Sequence, residues 1–176
     1  MNKIKEKYNK LIATEMYKEF LEHNPDYKLS HFFFVNESNK MIDEQIGFYS
    51  DSADKVVSFD LLGHSVSEPE SAAKTSGKIP HFSIDDVKLD IDEALKICQD
   101  LVDKEYSQHS STKTICILQT LEKVLLWNIT IITNTLHMIN IRVDAKTKKV
   151  IKHNAQPLMS LAKEWFLISK AFIKAP

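Results

Sequence analysis

The chain has few glycines and cysteines and no long apolar run. Only three glycines occur among its 176 residues, which excludes the glycine-rich loops that cradle phosphate groups. No apolar run approaches the roughly 20 residues that span a bilayer. The charged start, MNKIKEKYNK, lacks the apolar segment of a secretory signal peptide. We therefore expect a cytoplasmic protein, unless a leader has been removed.

The residue types that carry chemistry do not form a catalytic or metal-binding pattern. Two cysteines, Cys98 and Cys116, do not make a disulfide framework, and we predict that both act as small hydrophobic residues. Seven histidines are scattered, without the spacing that puts two metal ligands on one helix face. His64 and His81 flank a connector and could converge, whereas His137 is expected to be a structural residue of a strand. We predict no catalytic residue, no metal and no cofactor.

Charge gives little support to nucleic-acid binding. The net charge is −1, although residues 141–176 are rich in lysine and residues 85–105 are acidic. No nucleic-acid-binding motif accompanies the lysines. We favour packing of the basic C-terminal helix beside the acidic second helix of its own or another copy. The acidic run 85–93 lacks the glycine and closing glutamate of a calcium loop, so we interpret Asp90 and Glu93 as a capping box.

Hydrophobic spacing predicts helices and short strands in alternation. One helix is expected over residues 3–22, a second over 89–106 and a third after Pro157. The composition of residues 63–84 is typical of a connector. Strands are expected at 27–35, 41–50, 55–63, 112–119, 123–133, 136–145 and 149–153.

Two stretches about ninety residues apart have the same form. FYSDSADKVVSF (48–59) and INIRVDAKTKKVIKH (139–153) each predict a strand, a polar turn and a strand. Each lies at the same place after its own helix. We therefore predict an internal duplication with low residue identity.

The second half resembles a PepSY-type domain over roughly residues 88–152. The resemblance is carried by Ile91-Asp92-Glu93-Ala94-Leu95-Lys96-Ile97, by Trp127-Asn128-Ile129 and by the run from Ile141 to Ile151. It implies a helix packed across an antiparallel sheet, with no chemistry of its own, and a role in binding or inhibiting peptidases or as an accessory module. The first half would be a degenerate second copy. Where the family has Thr-Gly in its turn, this chain has Thr147-Lys148, which argues against a turn with a positive-φ glycine and favours one that tolerates lysine.

The C-terminal helix is the feature most expected to carry function. Leu158, Leu161, Trp165, Ile168 and Phe172 form one apolar seam, and a second apolar strip includes Phe166. The helix could fill a gap between two sheets, or it could offer Trp165, Phe166 and Phe172 to a partner or another subunit. A membrane-surface helix is a weaker alternative, because the polar face is not densely basic.

These features predict an α+β fold of two helix-plus-antiparallel-sheet units, PepSY- or cystatin-like in layout, with a closing helix. The units are expected at residues 1–62 and 85–153, with a connector at 63–84 and the helix at 154–176. We expect a non-enzymatic module that binds a protein or peptide. A homodimer of the chain is a further possibility. The alternative is an enzyme or small-ligand carrier with a pocket between helices and sheets.

Overall fold

The computed structural model describes residues 2–38, 40–71 and 77–161. Three α-helices are present: α1 (Lys3–Ile12), α2 (Glu15–His23) and α3 (Ile91–Glu105). The strands are β1 (Tyr27–Glu37), β2 (Lys40–Ser50), β3 (Lys55–Asp60), β4 (Ser65–Val66), β5 (Glu70–Ser71), β6 (Ser111–Leu121), β7 (Val124–Thr133), β8 (His137–Asp144) and β9 (Val150–Pro157). Short 3-10 helices cover Ile84–Asp86 and Leu158–Leu161. The predicted C-terminal helix lies largely outside the described residues.

All nine strands belong to one antiparallel sheet, with the order β4-β3-β2-β1-β6-β7-β8-β9 and with β5 paired to β3. The prediction of two helix-plus-sheet units is therefore wrong. The two runs of strands meet where β1 pairs with β6, in register from His31↔Gln119 to Glu37↔Lys113. This pairing makes the sheet continuous, and the helices are short additions to it.

The β4 and β5 strands lie within the segment predicted to be a connector, and both pair with β3 at the edge of the sheet. Both hairpins that were noticed in the sequence are present, as β2–β3 and β8–β9. The duplication itself stays a prediction.

The three helices pack on one face of the sheet. Their buried residues belong to a large apolar cluster with Phe32, Phe34, Ile129 and other residues of that sheet face. Trp127 is fully buried there, and its Nε1 donates to the Leu89 carbonyl oxygen at 2.9 Å. An ion pair also crosses this interface, because the Lys7 Nζ of α1 lies 2.5 Å from the buried Glu44 carboxylate.

The N-terminal helix differs from its prediction in two respects. It is broken between residues 12 and 15, because the Thr14 Oγ1 accepts from the Tyr17 N–H and begins a new helix, α2. Asp90 does not cap its own helix by a side-chain hydrogen bond. Its carboxylate instead accepts from the backbone N–H groups of Lys3 and Ile4, at 2.9 and 3.2 Å, at the start of α1. Asp90 is therefore the N-cap residue of α3, as predicted, but it does not form the side-chain hydrogen bond of a capping box there.

Candidate functional site

The last strand, β9, is the outer strand of the sheet on the C-terminal side, and it pairs with β8 alone. Leu158 N–H donates to the Leu136 carbonyl at the end of this ladder. Backbone groups alternate in direction along an antiparallel strand. The N–H and C=O groups of His153 and Ala155 therefore point away from β8. Among the described residues, no strand pairs with this outer edge.

The exposed part of β9 combines apolar and basic side chains. Val150 and Ile151 are 37% and 49% exposed. Lys149, which directly precedes β9, and Lys152 are also exposed, and neither forms an ion pair with another described residue. On the same strand, the His153 Nδ1 lies 2.7 Å from the Tyr106 hydroxyl. An unpaired strand edge beside such side chains has the form that accepts an extended peptide with acidic residues.

The turn that leads into β9 is held by its own backbone and by Asp144. The Asp144 Oδ1 accepts from the N–H groups of Lys146 and Thr147, both at 2.8 Å. These hydrogen bonds help to keep the pKa of the carboxyl below its usual range, against the opposing effect of burial. Lys148 adopts a φ of 64°, so the turn tolerates lysine but keeps the positive φ at this position. Its Nζ binds Glu93 of α3 at 2.8 Å, which ties the turn to that helix.

Lys148 is strained by this left-handed backbone, and glycine would relieve the strain. We expect Lys148→Gly to be more stable than Lys148→Ala by about 1 kcal/mol, since both lose the exposed ion pair and only alanine keeps a Cβ. Urea denaturation of the two variants measures the difference. Equal stability would show that the backbone at this turn rearranges.

The histidines considered as a converging set lie in three separate places. His81 contacts Asp51, with its Nε2 3.0 Å from the carboxylate, beside the start of β3. His64 lies in the turn after the other end of β3. His137 begins β8, and its ring centroid lies 4.6 Å from that of His109. Within the described residues, no group of three or more histidine, cysteine or acidic side chains could hold a metal ion.

A cleft of about 360 Å³ lies between α3 and the sheet. Its lining consists of Leu95, Lys96, Cys98, Gln99, Asp100, Ser111, Thr114 and Ile131. None of the seven histidines lines it. Burial raises the pKa of Cys98 to about 12, and burial also raises the pKa of Cys116. Both thiols are therefore protonated and unreactive near neutral pH, as expected for small core residues.

A buried polar cluster lies on the opposite face of the sheet from the helices. The His31 Nδ1 lies 3.0 Å from the Ser30 Oγ, which donates to the Gly47 carbonyl at 3.1 Å. The imidazole covers Gly47, where an added Cβ would lie 1.9 Å from the His31 Cε1. Burial lowers the pKa of His31 to about 4. The enclosed ring leaves no room for a substrate, so we assign this cluster to the packing of β1 on β2.

The residues predicted to bind a partner, Trp165, Phe166 and Phe172, lie outside the described residues. The sequence predicts the strand at 149–153 but not that it is the outermost strand of the sheet. Its signal was the alternation of Ile151, His153 and Ala155 after a polar turn, but that alternation alone does not show whether a strand is outermost.

Comparison with known proteins gives a likeness of fold. No family model matches the chain, and no curated protein matches it. A solved structure of a "putative lipoprotein" from Clostridium difficile 630 is similar, with a TM-score of 0.51 and 15% sequence identity. The match covers 79% of this chain and 89% of that one. No helix in the described part of the chain is long and apolar enough to cross a membrane.

Proposed function

We propose that the protein is a non-enzymatic binding module that takes up an extended segment of another protein along β9. The observation that carries this proposal is the outer edge of β9, which is unpaired among the described residues. Backbone hydrogen bonds to such an edge provide affinity, and flanking side chains select the sequence. Exposed Lys149 and Lys152 favour a partner segment with acidic residues.

The resemblance to PepSY-type domains supports a role beside peptidases by analogy alone. A cytoplasmic location and a possible homodimer remain part of the same proposal. We expect no nucleic-acid partner, because two of the lysines near β9 are paired with acidic side chains, Lys146 with Asp86 at 3.1 Å and Lys148 with Glu93. Lys149 and Lys152 alone make a small basic patch, and no nucleic-acid-binding motif accompanies them.

Photo-crosslinking identifies the partner. A photoreactive residue at Ile151 is expected to capture a specific protein in native cells. The matched control is Leu62, which is 48% exposed, close to the 49% of Ile151. Leu62 follows β3, near the edge of the sheet opposite to β9. The same products from both positions, or none from Ile151, would contradict the proposal.

Proline substitution then tests the backbone mechanism. His153→Pro removes an outward N–H, whereas His153→Ala removes the imidazole and keeps that N–H. Both lose the contact with Tyr106. Proline is tolerated on the free side of an edge strand. We expect the captured partner to bind His153→Ala and to lose at least about tenfold in affinity for His153→Pro, which corresponds to one or two lost hydrogen bonds.

Calorimetric titration with the captured segment measures both affinities, and thermal unfolding checks that both variants are folded. Equal binding by the two variants would show that the partner does not add a strand to β9.

A second candidate function is favoured by the cleft beside α3. Its volume lies within the range of small-molecule sites. The lining polar groups belong to Lys96, Gln99, Asp100, Ser111 and Thr114, so a small polar ligand would suit it. A metabolite screen by thermal shift tests this alternative, and Thr114→Val should abolish any shift that arises there. A clear shift together with no captured partner would replace the binding-module proposal.

A further inference from the structure

The face of the sheet that lies opposite the helices carries the one arginine of the chain. Arg142 of β8 is the single arginine among the 23 lysine and arginine residues. It lies directly opposite Asn128 of β7 and Lys152 of β9, so the three side chains are neighbours on one face. Trp127 and Ile141, which adjoin them in the chain, point to the other face, into the apolar cluster under the helices. We call Arg142, Asn128 and Lys152 the Arg142 site.

The guanidinium of Arg142 is not satisfied by the described residues. Its side chain is 28% exposed, and its Nε is buried without a hydrogen-bond partner among them. The Glu122 Oε1 lies 3.8 Å from the Arg142 Nη1, which is too long for a hydrogen bond, and the Glu122 side chain is 82% exposed. Asp144, two residues along β8, accepts from N–H groups of the turn that follows it. The fork of donors that arginine offers is therefore available to a ligand.

The two neighbours of Arg142 also suit an anion. Lys152 lies directly opposite it on the adjacent strand, and like charges in this position repel each other unless an anion lies between them. Asn128 is oriented by Asn140, whose Nδ2 donates to the Asn128 Oδ1 at 2.8 Å. The oxygen of the Asn128 amide is thereby used, and its nitrogen remains as a donor. The Arg142 site therefore presents hydrogen-bond donors and positive charge together.

We propose that the Arg142 site binds the carboxylate group of a small ligand. A guanidinium matches the two oxygens of a carboxylate with two parallel hydrogen bonds, whereas an ammonium acts as a point charge. Phosphate groups are typically bound by backbone N–H groups at helix N-termini or in glycine-rich turns. Here β7 and β8 contain no glycine, and their backbone groups are engaged because each strand pairs on both sides. A carboxylate is therefore the anion that fits, and its charge would lie between Arg142 and Lys152.

Nuclear magnetic resonance of the full-length chain tests this binding directly. Because the chain has one arginine, its Nε–H group gives a single signal in the arginine side-chain region of a proton–nitrogen correlation spectrum. We expect sodium acetate, which replaces sodium chloride at constant ionic strength, to shift this signal along a saturable curve. A signal that does not move, or that moves without saturation, would overturn the proposal. A saturable response to inorganic phosphate with none to acetate would also overturn it.

A pair of substitutions separates the guanidinium from charge alone. Arg142→Lys keeps the positive charge and loses the fork of donors, whereas Lys104→Gln removes an exposed positive charge on α3, on the other face. The backbone N–H signals of Asn128 and of residue 142 report binding in both variants. We expect acetate affinity to fall at least about tenfold in Arg142→Lys and to stay unchanged in Lys104→Gln.

Equal affinities in the wild type and both variants, or an equal loss in both variants, would overturn the assignment of the carboxylate to Arg142. Thermal unfolding checks that both variants are folded. If Arg142→Lys does not fold, the titration of the wild type still decides whether the Arg142 Nε–H group meets the anion.

This inference goes beyond the proposed function, because it concerns side chains on a face of the sheet and not the backbone edge of β9. Lys152 belongs to β9, but Arg142 and Asn128 lie on strands with which a segment added at that edge would not pair. Absence of acetate binding would therefore leave the crosslinking result at Ile151 unaffected.

Discussion

Gly47→Ala is expected to destabilise the protein by about 3 kcal/mol, at the upper end of the range for overpacked cores. The added Cβ would lie 1.9 Å from the His31 Cε1 and 2.3 Å from its Nε2, far inside van der Waals contact. The ring cannot simply turn away, because His31 is 8% exposed and lies beside Ser30. The cost therefore comes from a clash between neighbouring strands and not from backbone strain. Urea denaturation measures it.

A second substitution separates this clash from other effects. His31→Ala removes the ring that occupies the space. The double variant His31→Ala/Gly47→Ala should therefore lose less stability than the two single variants lose together. A coupling of at least about 1 kcal/mol is expected. Additive losses would show that Gly47 is required for a reason other than His31. Gly63→Ala is the control, because its new Cβ meets the Asp60 side chain in an exposed turn, where that side chain can move.

Stability is expected to fall between about pH 6.5 and pH 4 by on the order of 3 kcal/mol, because His31 is neutral in the folded state. Its pKa is lowered from 6.5 to about 4 by burial. Within this window the unfolded chain binds a proton that the folded chain does not, so the free energy of unfolding decreases as the pH falls. Above pH 6.5 the full stability is present, and below about pH 4 this contribution is lost.

Denaturation of the wild type and of His31→Gln across this range measures the effect. Glutamine does not titrate, so the variant should lose most of the slope between pH 6.5 and pH 4 even if its stability is lower throughout. His153→Gln, which replaces an exposed histidine, is the control and should keep the slope. An unchanged slope in His31→Gln would assign the acid sensitivity to other groups.

Local sequence patterns predicted the individual elements well and their assembly poorly. The helix expected at 89–106 is α3, and each expected strand has a counterpart, because alternation and helical spacing are local properties. The division into two units failed because the pairing of β1 with β6 joins residues about eighty positions apart. The spacing of apolar residues in β1 does not show which strand pairs with its other edge, the edge that β2 leaves free.

The errors at the N-terminus have a similar cause. A single helix was predicted over 3–22 because the apolar spacing continues through Thr14, whose hydroxyl serves as a cap. Asp90 is the N-cap residue of the helix that follows it, as predicted, but its side chain accepts from the N–H groups of a helix 86 residues earlier. A short polar side chain can cap either helix, and only the packing decides.

Recognising the edge of β9 as the candidate site also required knowledge of how distant strands pair. The sequence located the turn around Asp144 and the strand after it, but whether β9 is outermost follows from the order of the whole sheet. Which of its N–H groups face outward follows from its register on β8.

The pairing of β1 with β6 has a consequence for how the chain folds during synthesis. Until β6 has left the ribosome, the aromatic run Phe32-Phe33-Phe34 lies on a strand with one open edge, and α1 lacks the carboxylate of Asp90 at its start. A nascent chain at this stage exposes the unpaired edge of an apolar strand, which favours aggregation. A protein cut at the predicted boundary after residue 62 would keep that hazard permanently, so the N-terminal half depends on the C-terminal half for its solubility.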